Sequence, residues 1–339
     1  MDRVRDVRTL PKAHLHLHFT GSMRPGTLIE LADKYGVHLP EALRSGRPPR
    51  LRATDERGWF RFQRLYDIAR SCLRGPEDIQ RLVREAAEED LRDGARWLEI
   101  QVDPTSYAPR LGGLSPALEI ILDAVETTSR ETGLGMRVLV AANRVKHPLE
   151  ARTLARLAVR YRDRGIVGFG LSNDERHGFA RDFDRAFAIA RDGGLLAAPH
   201  GGELSGPASV RDCLDDLRAA RIGHGVRAAE DPRLLERLAR ARVTCEVCPA
   251  SNVALGVYET LADVPLRTLW RAGEPMALGA DDPLLFGSRL AAQYGIAREH
   301  HGFTDAELAE LARQSVRASA APEDVRAKIL LEIDEWLAL

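Results

Sequence analysis

Nine residues near the start of the chain, Ala13 to Gly21, read AHLHLHFTG and hold three histidines at intervals of two. In an extended strand alternate side chains share a face, so His14, His16 and His18 would point one way and Leu15, Leu17 and Phe19 the other. Three imidazoles on one face are an offer of metal ligands, because ring nitrogen suits zinc and neighbouring transition metals. Further chemistry-bearing residues recur in small groups. They are Ser172, Asn173, Asp174 and Glu175; His200 and Glu203 in PHGGE; His224 in IGHG; Ser251 and Asn252 in CPASN; and Asp281 and Asp282 in GADDP.

Each group follows a short apolar run of strand character. The candidate strands are Ala13–Phe19, Trp97–Val102, Met136–Ala141, Ile166–Leu171, Leu195–Pro199, Arg221–His224, Val243–Val247 and Met276–Gly279. Between them lie segments of helical period, such as Ile79–Asp93 and Pro116–Thr132, followed by Pro148–Arg164, Phe183–Asp192, Pro207–Ala220, Pro232–Arg240 and Pro265–Ala272. Several open on proline, a favoured first helical residue. Alternating strands and helices mean a parallel sheet, and eight strands with helices between them predict an α/β fold of the (β/α)8 TIM-barrel type as one domain over 1–339. No GxGxxG follows the first strand, which argues against an open dinucleotide-binding sheet. Residues 24–75 exceed the repeat and are read as a helical lid insertion after strand one, carrying the polar linker RSGRPPRLRATDERG and the aromatics Trp59, Phe60, Phe62 and Tyr66. Residues 304–339 are read as C-terminal helices closing the outside of the barrel.

In such a barrel the residues just after each strand converge on one face. His16 and His18 can then share a metal with His200 and Asp281, leaving a position for water whose pKa the ion would lower from about 15.7 toward 7. Binuclear barrel hydrolases bridge two ions with a carboxylated lysine on strand four. Ile166–Leu171 has none, so one metal is expected and a binuclear esterase or lactonase is disfavoured. Glu203 is placed as a proton shuttle, His224 as a base or orienter of the water, and Asp282 as a partner for substrate. The alternative for Glu203 is a carboxylate at a helix N-terminus, for His224 a packed ring between glycines, and for Asp282 a helix cap before Pro283.

The balance of 49 basic and 50 acidic residues, net charge −1, offers nothing to nucleic acid or an anionic membrane. Only four residues are lysine, so the arginine excess reads as codon usage. No apolar run approaches the roughly 18 residues of a membrane span, and a soluble cytoplasmic protein is expected. The four cysteines are too scattered for a disulfide framework, and CEVC reads as a buried strand in which Cys245 and Cys248 face opposite sides.

These motifs resemble the adenosine deaminase family of the metal-dependent amidohydrolase barrels. PKAHLHLHFTGSMRP resembles its N-terminal metal motif, VGFGLSNDE its strand-four turn, HGGE its strand-five motif, and GHG, EVCPASN and ADDP the last three. The resemblance implies one Zn2+ per chain on His16, His18, His200 and Asp281. It also implies that Glu203 protonates a purine at N1, that His224 aids attack at C6 and that Asp282 contacts N7. The zinc motifs of cytidine-type deaminases are absent, since CEVCP has its proline on the wrong side. His18, Thr20, Asn173, Asp282 and Phe60 are the expected substrate contacts. Thr20 stands where the family's nucleoside deaminases usually carry aspartate and its adenine-specific branch glutamate. Asn173 stands where glycine is common, and His14, where glutamate is usual, is expected to back the ligands. The expected partner is a small 6-aminopurine, adenosine or 2′-deoxyadenosine first. Free adenine or an N6- or 5′-modified adenosine is the alternative, and a purine-binding barrel without catalysis the remote one.

Overall fold

A computed structural model describes residues 5–45 and 55–338 of the chain. Part of the expected polar linker, residues 46–54, lies outside the described residues. Eight parallel strands follow one another in chain order. They are β1 (Lys12–His18), β2 (Ala95–Val102), β3 (Gly135–Asn143), β4 (Ile166–Ser172), β5 (Leu196–Gly201), β6 (Arg221–His224), β7 (Thr244–Val247) and β8 (Met276–Leu278). The seam between β8 and β1 is made by a bridge of Leu17 with Asp281. There His18 N donates to Asp281 O at 2.9 Å and Asp281 N to His16 O at 3.0 Å. The chain is a (β/α)8 TIM barrel, with every strand within two residues of its expected bounds.

After β1 come α1 (Pro25–Tyr35), α2 (Glu41–Arg44) and α3 (Glu56–Ser71), and then the crossover helix α4 (Pro76–Arg92). The Asp55 side chain starts α3 by accepting from Gly58 N at 2.6 Å, and Gly36 ends α1 in the left-handed conformation. The later helices are α5 (Leu114–Thr132), α6 (Pro148–Arg160), α7 (Asp184–Asp192), α8 (Pro207–Asp215), α9 (Pro232–Ala241), α10 (Pro249–Ala254) and α11 (Leu266–Arg271). They are followed by α12 (Pro283–Phe286), α13 (Leu290–His301), α14 (Asp305–Ala318) and α15 (Glu323–Ala338). Helix α8 stops five residues short of its expected end, because Arg218 at φ 51° turns the chain toward β6. Helix α14 opens on a Thr304/Glu307 capping box and packs on β8 and β1. None of the described helices is long and apolar enough to cross a membrane.

Polar residues occupy the barrel interior. Along β2, Leu98, Ile100 and Val102 join the apolar core, while Glu99 and Gln101 belong to the polar set that meets Arg221 and His16. Strand β1 departs from simple alternation, because its register shifts between His14 and Leu17. His16 reaches across the barrel, with Nδ1 2.8 Å from Glu246 Oε2 on β7. His14 turns to the helix layer instead, with Nδ1 2.8 Å from Asp90 Oδ2 on α4. The three imidazoles therefore do not share a face, which corrects the expectation from ideal alternation. His14 does back the site: its Nε2 accepts from Ala280 N, at 3.1 Å, beside Asp281.

Candidate active site

The C-terminal ends of the strands meet in one cavity, lined from β1 to β6 and by Asp281 and Asp282 beyond β8. At its base His16, His18 and His200 bring ring nitrogens within 4.8 Å of one another. Asp281 Oδ1 lies 3.2 Å from His18 Nε2 and 3.6 Å from His16 Nε2. His16 Nε2 and His200 Nε2 are buried with no hydrogen-bond partner among the described residues. Buried ring nitrogens that converge without partners, beside one carboxylate, fit a divalent metal of the zinc type. The residues present therefore suit the expected ion.

Two glycines make the convergence possible. A Cβ on Gly223 would collide with His200 Cδ2 and approach His16 Cε1, and one on Gly21 would collide with Asp282 Oδ1. Three non-glycine residues at the strand ends take left-handed backbone: Asn173 at φ 84°, His224 at φ 63° and Asp281 at φ 61°. Such conformations cost energy for side chains with a Cβ and concentrate where a side chain must be aimed. Asparagine tolerates this region better than most residues, which accounts for Asn173 at a position where glycine is common.

The charges sort themselves by partner. Burial alone would lower the His16 pKa, but the Asp281 and Glu246 carboxylates raise it to about 10. Burial likewise opposes ionisation of Asp281, yet His16 and His18 pull its pKa well below the usual range. His200 is pushed well below the ordinary value, by burial first and then by the neighbouring His16 and His18. Burial lowers His224 to about 3, so its ring is neutral, with Nδ1 unpartnered among the described residues. Burial and then the Asp281 charge raise Glu203 and Asp282 well above ordinary carboxylates. Two carboxyls whose charged forms are disfavoured thus face the cavity beside one whose charged form is favoured. Environments that drive like groups apart in pKa mark acid–base chemistry.

Glu203 Oε1 lies 3.5 Å from His224 Nε2. Its loop is held by Glu175, whose Oε2 accepts from Glu203 N at 2.9 Å, Leu204 N at 2.7 Å and Ser205 N at 2.8 Å, and whose Oε1 takes Gly202 N. On the far side α3 supplies Trp59, Phe62, Gln63, Tyr66 and Arg70 to the wall. Asn173 Nδ2 ties that helix to β4 through Gln63 Oε1 at 3.1 Å.

Of the residues expected from sequence, His18, Asn173, His200, Glu203, His224, Asp281 and Asp282 line the cavity, and His16 lies beneath it. Two are placed differently. Phe60 is 69 % exposed and faces outward; Trp59, Phe62 and Tyr66, one and three to four residues apart on the same helix, turn inward in its stead. Thr20 is fully buried, and its hydroxyl meets that of Tyr107 at 2.5 Å, so the wall there is formed by Tyr66 and Tyr107. Sequence reading assigned no role to Glu175, Glu246, Arg70 or Tyr107. Glu175 lay inside a polar group already noted, and helical spacing from Trp59 would have favoured Phe62 and Tyr66 over Phe60. CEVC is a buried strand as read, and Cys245 and Cys248 are both free and buried.

With that geometry in view, likenesses to known proteins become informative. The sequence model of the family described as adenosine deaminase matches residues 11–336. A protein of Streptomyces coelicolor named "Putative adenosine/adenine deaminase" is 83% identical over 341 residues, covering 99% of each chain. The adenine deaminase of Rhizobium meliloti is 38% identical over 322 residues, covering 95% of this chain and 97% of that one. The solved adenine deaminase of Arthrobacter aurescens superposes with a TM-score of 0.89 at 29% identity, covering 97% of this chain and all of that one (100%). On fold, gathered side chains and these likenesses together, the chain belongs to the adenosine deaminase family and is a hydrolytic enzyme that deaminates a purine.

Proposed function

We propose that the protein converts adenosine or 2′-deoxyadenosine to the corresponding inosine and ammonia, with one zinc ion held by His16, His18, His200 and Asp281. The observation that carries this reading is that Glu203, His224 and Asp282, whose Oδ1 has no hydrogen-bond partner among the described residues, face one cavity beside the His16, His18, His200 and Asp281 cluster, with Glu203 3.5 Å from His224 Nε2. Glu203 donates its proton to N1, which draws electrons from C6 and opens that carbon to water. His224 holds the incoming water against C6 and takes up a proton as the oxygen adds. Asp282 donates to N7 and fixes the base in the plane where C6 meets the water. Proton return to the exocyclic nitrogen lets ammonia leave, and the ring keeps the oxygen. Zinc at this place would supply the acidity that makes water a nucleophile near neutral pH.

Helix α3, carrying Trp59, Phe62 and Tyr66 to the cavity wall, serves as the lid. A second reading, free adenine or a 5′-modified adenosine, is favoured by Thr20. Its hydroxyl is already engaged by Tyr107, which leaves no carboxylate at that position for a ribose 5′-hydroxyl. Turnover of adenine, adenosine, 2′-deoxyadenosine and 5′-substituted adenosines, followed by ultraviolet absorbance and ammonia release, decides between them. Adenosine and deoxyadenosine should lead. A faster reaction with adenine or with a 5′-substituted analogue would replace the first reading with the second.

A further inference from the structure

Beneath the metal-binding cluster the barrel interior holds a line of charged residues that the deamination chemistry leaves unused. Glu99 on β2 and Glu246 on β7 are fully buried, and Arg221 on β6 is 2 % exposed. Arg221 Nη2 meets Glu99 Oε2 at 2.6 Å, and Arg221 Nε meets Glu246 Oε1 at 2.7 Å. The remaining oxygen, Glu246 Oε2, is 2.8 Å from His16 Nδ1. At the other end Glu99 Oε1 accepts from Trp97 Nε1 at 2.8 Å and from Ala320 N at 2.6 Å, while Arg221 Nη1 donates to Ala318 O at 2.9 Å. A continuous polar chain thus runs from the link between α14 and α15 to one ring nitrogen of a metal ligand.

A carboxylate facing Nδ1 keeps a proton on that nitrogen, so when the ring gives up its other proton the lone pair lies on Nε2, the atom without a hydrogen-bond partner among the described residues. Arg221 faces Glu246 in a dry interior and balances its carboxylate. Arg221 is itself fixed from the opposite side by Glu99 and by the Ala318 carbonyl.

From this we infer that Glu246, fixed in place by Arg221, which Glu99 holds from the other side, is the positioning residue of His16, setting its tautomer and ring orientation and thereby the affinity of the site for its metal. Glu246 touches neither substrate nor ion and acts through His16. The inference rests on the metal placement proposed above and is independent of which purine is the substrate.

The test measures zinc affinity of the full chain, stripped with a chelator and titrated with zinc against a chromophoric competitor. Glu246→Gln should bind zinc about 10- to 100-fold more weakly than the wild type. Arg221→Lys, which keeps the charge, should retain most of the affinity, and Glu203→Gln should match the wild type. Cobalt loaded in place of zinc should show altered visible bands in Glu246→Gln, a change that simple loss of stability does not produce. If Glu246→Gln fails to fold, Glu246→Asp, which keeps the charge but withdraws it from His16, should weaken zinc binding by about tenfold. Wild-type affinity and cobalt spectrum in whichever of these two variants folds, alongside a His16→Asn control with weakened binding, would overturn the inference and leave the metal placement standing. Unchanged binding in His16→Asn would overturn both.

Discussion

Replacing Glu175 by alanine should slow turnover by about two to three orders of magnitude while leaving zinc in place. The carboxylate accepts from four successive backbone amides, Gly202 to Ser205, and Glu203 is carried on that loop. Glu175 is 7 % exposed, so water reaches these amides poorly once it is removed. A buried amide without a partner costs about 1–3 kcal/mol. Two such amides at about 1.5–2 kcal/mol each, the others recovering water, give about 3–4 kcal/mol, which at about 1.4 kcal/mol per decade corresponds to a rate loss of roughly 100- to 1000-fold. Glu175→Gln is the milder test. Its amide oxygen can serve the three donors that meet Oε2, but its NH2 then opposes Gly202 N–H, a loss of about 10- to 100-fold if one charge-assisted bond is forfeited. There is also a signature in pH. The Glu175 charge contributes, after burial and Asp281, to raising Glu203. Removing it lets Glu203 ionise at lower pH, so the alkaline limb of kcat should move toward acid. The assay is steady-state kcat and KM on the preferred nucleoside from pH 5 to 10, with zinc content measured in parallel. An alanine variant within threefold of wild-type kcat, with its alkaline limb unmoved, would refute the reasoning.

Four further outcomes are expected. Glu203→Gln should lose about 10²- to 10⁴-fold in kcat, as removal of a general acid does, and wild-type turnover would take Glu203 out of the mechanism. Stripping the metal should abolish activity. Because His16 has a pKa of about 10 in the metal-free protein, reloading near pH 7 should release a proton, seen as a buffer-dependent binding heat; a heat independent of buffer would contradict this. Glu274 is buried, with its carboxyl raised to about 8 by burial against a small offset from Cys245, so it enters the fold protonated. The stability this proton confers is complete below about pH 4.5 and declines, by at most about 1.4 kcal/mol per pH unit, until about pH 8. Thermal midpoints of wild type should therefore fall more between pH 5 and 8 than those of Glu274→Gln, and parallel slopes would count against it. Finally, Phe60→Ala should leave kcat/KM unchanged, whereas Phe62→Ala, whose ring stacks on Phe286 at 5.8 Å and lines the cavity, should reduce it; the reverse order would mean that α3 is turned the other way.

The barrel and the gathering of these histidines and carboxylates at one face were legible in sequence for a common reason. Strand periodicity is local, and a barrel brings every strand end to one face, so HLH, PHG, IGH and GADD needed only the fold class to be assembled. What sequence left hidden depends on a backbone irregularity or on a partner far along the chain. The shifted register near His16 sends His14 to Asp90, and ideal alternation cannot anticipate it. Glu99, Arg221 and Glu246 look like unremarkable charges inside apolar strands; they acquire meaning only when β2, β6 and β7 curl round to face one another. Thr20 was singled out by type, yet its hydroxyl is spent on Tyr107, whose place beside it follows from the loop after β2. Phe60 and Phe62 differ by two positions on a helix, which is enough to exchange solvent for the cavity.

The seam of the barrel carries one more consequence. Closure between β8 and β1 runs through the backbone of His16, His18 and Asp281, three of the four residues read as holding the ion. Those residues stand 265 positions apart at the widest, His16 to Asp281, so the site is not complete in a growing chain until Asp281 has left the ribosome. A fragment ending before β8 has the histidines but neither the carboxylate nor the ring closure that aims them. On the metal placement proposed above, ring closure and assembly of the ligand set are one event: the strand that shuts the barrel also delivers its carboxylate.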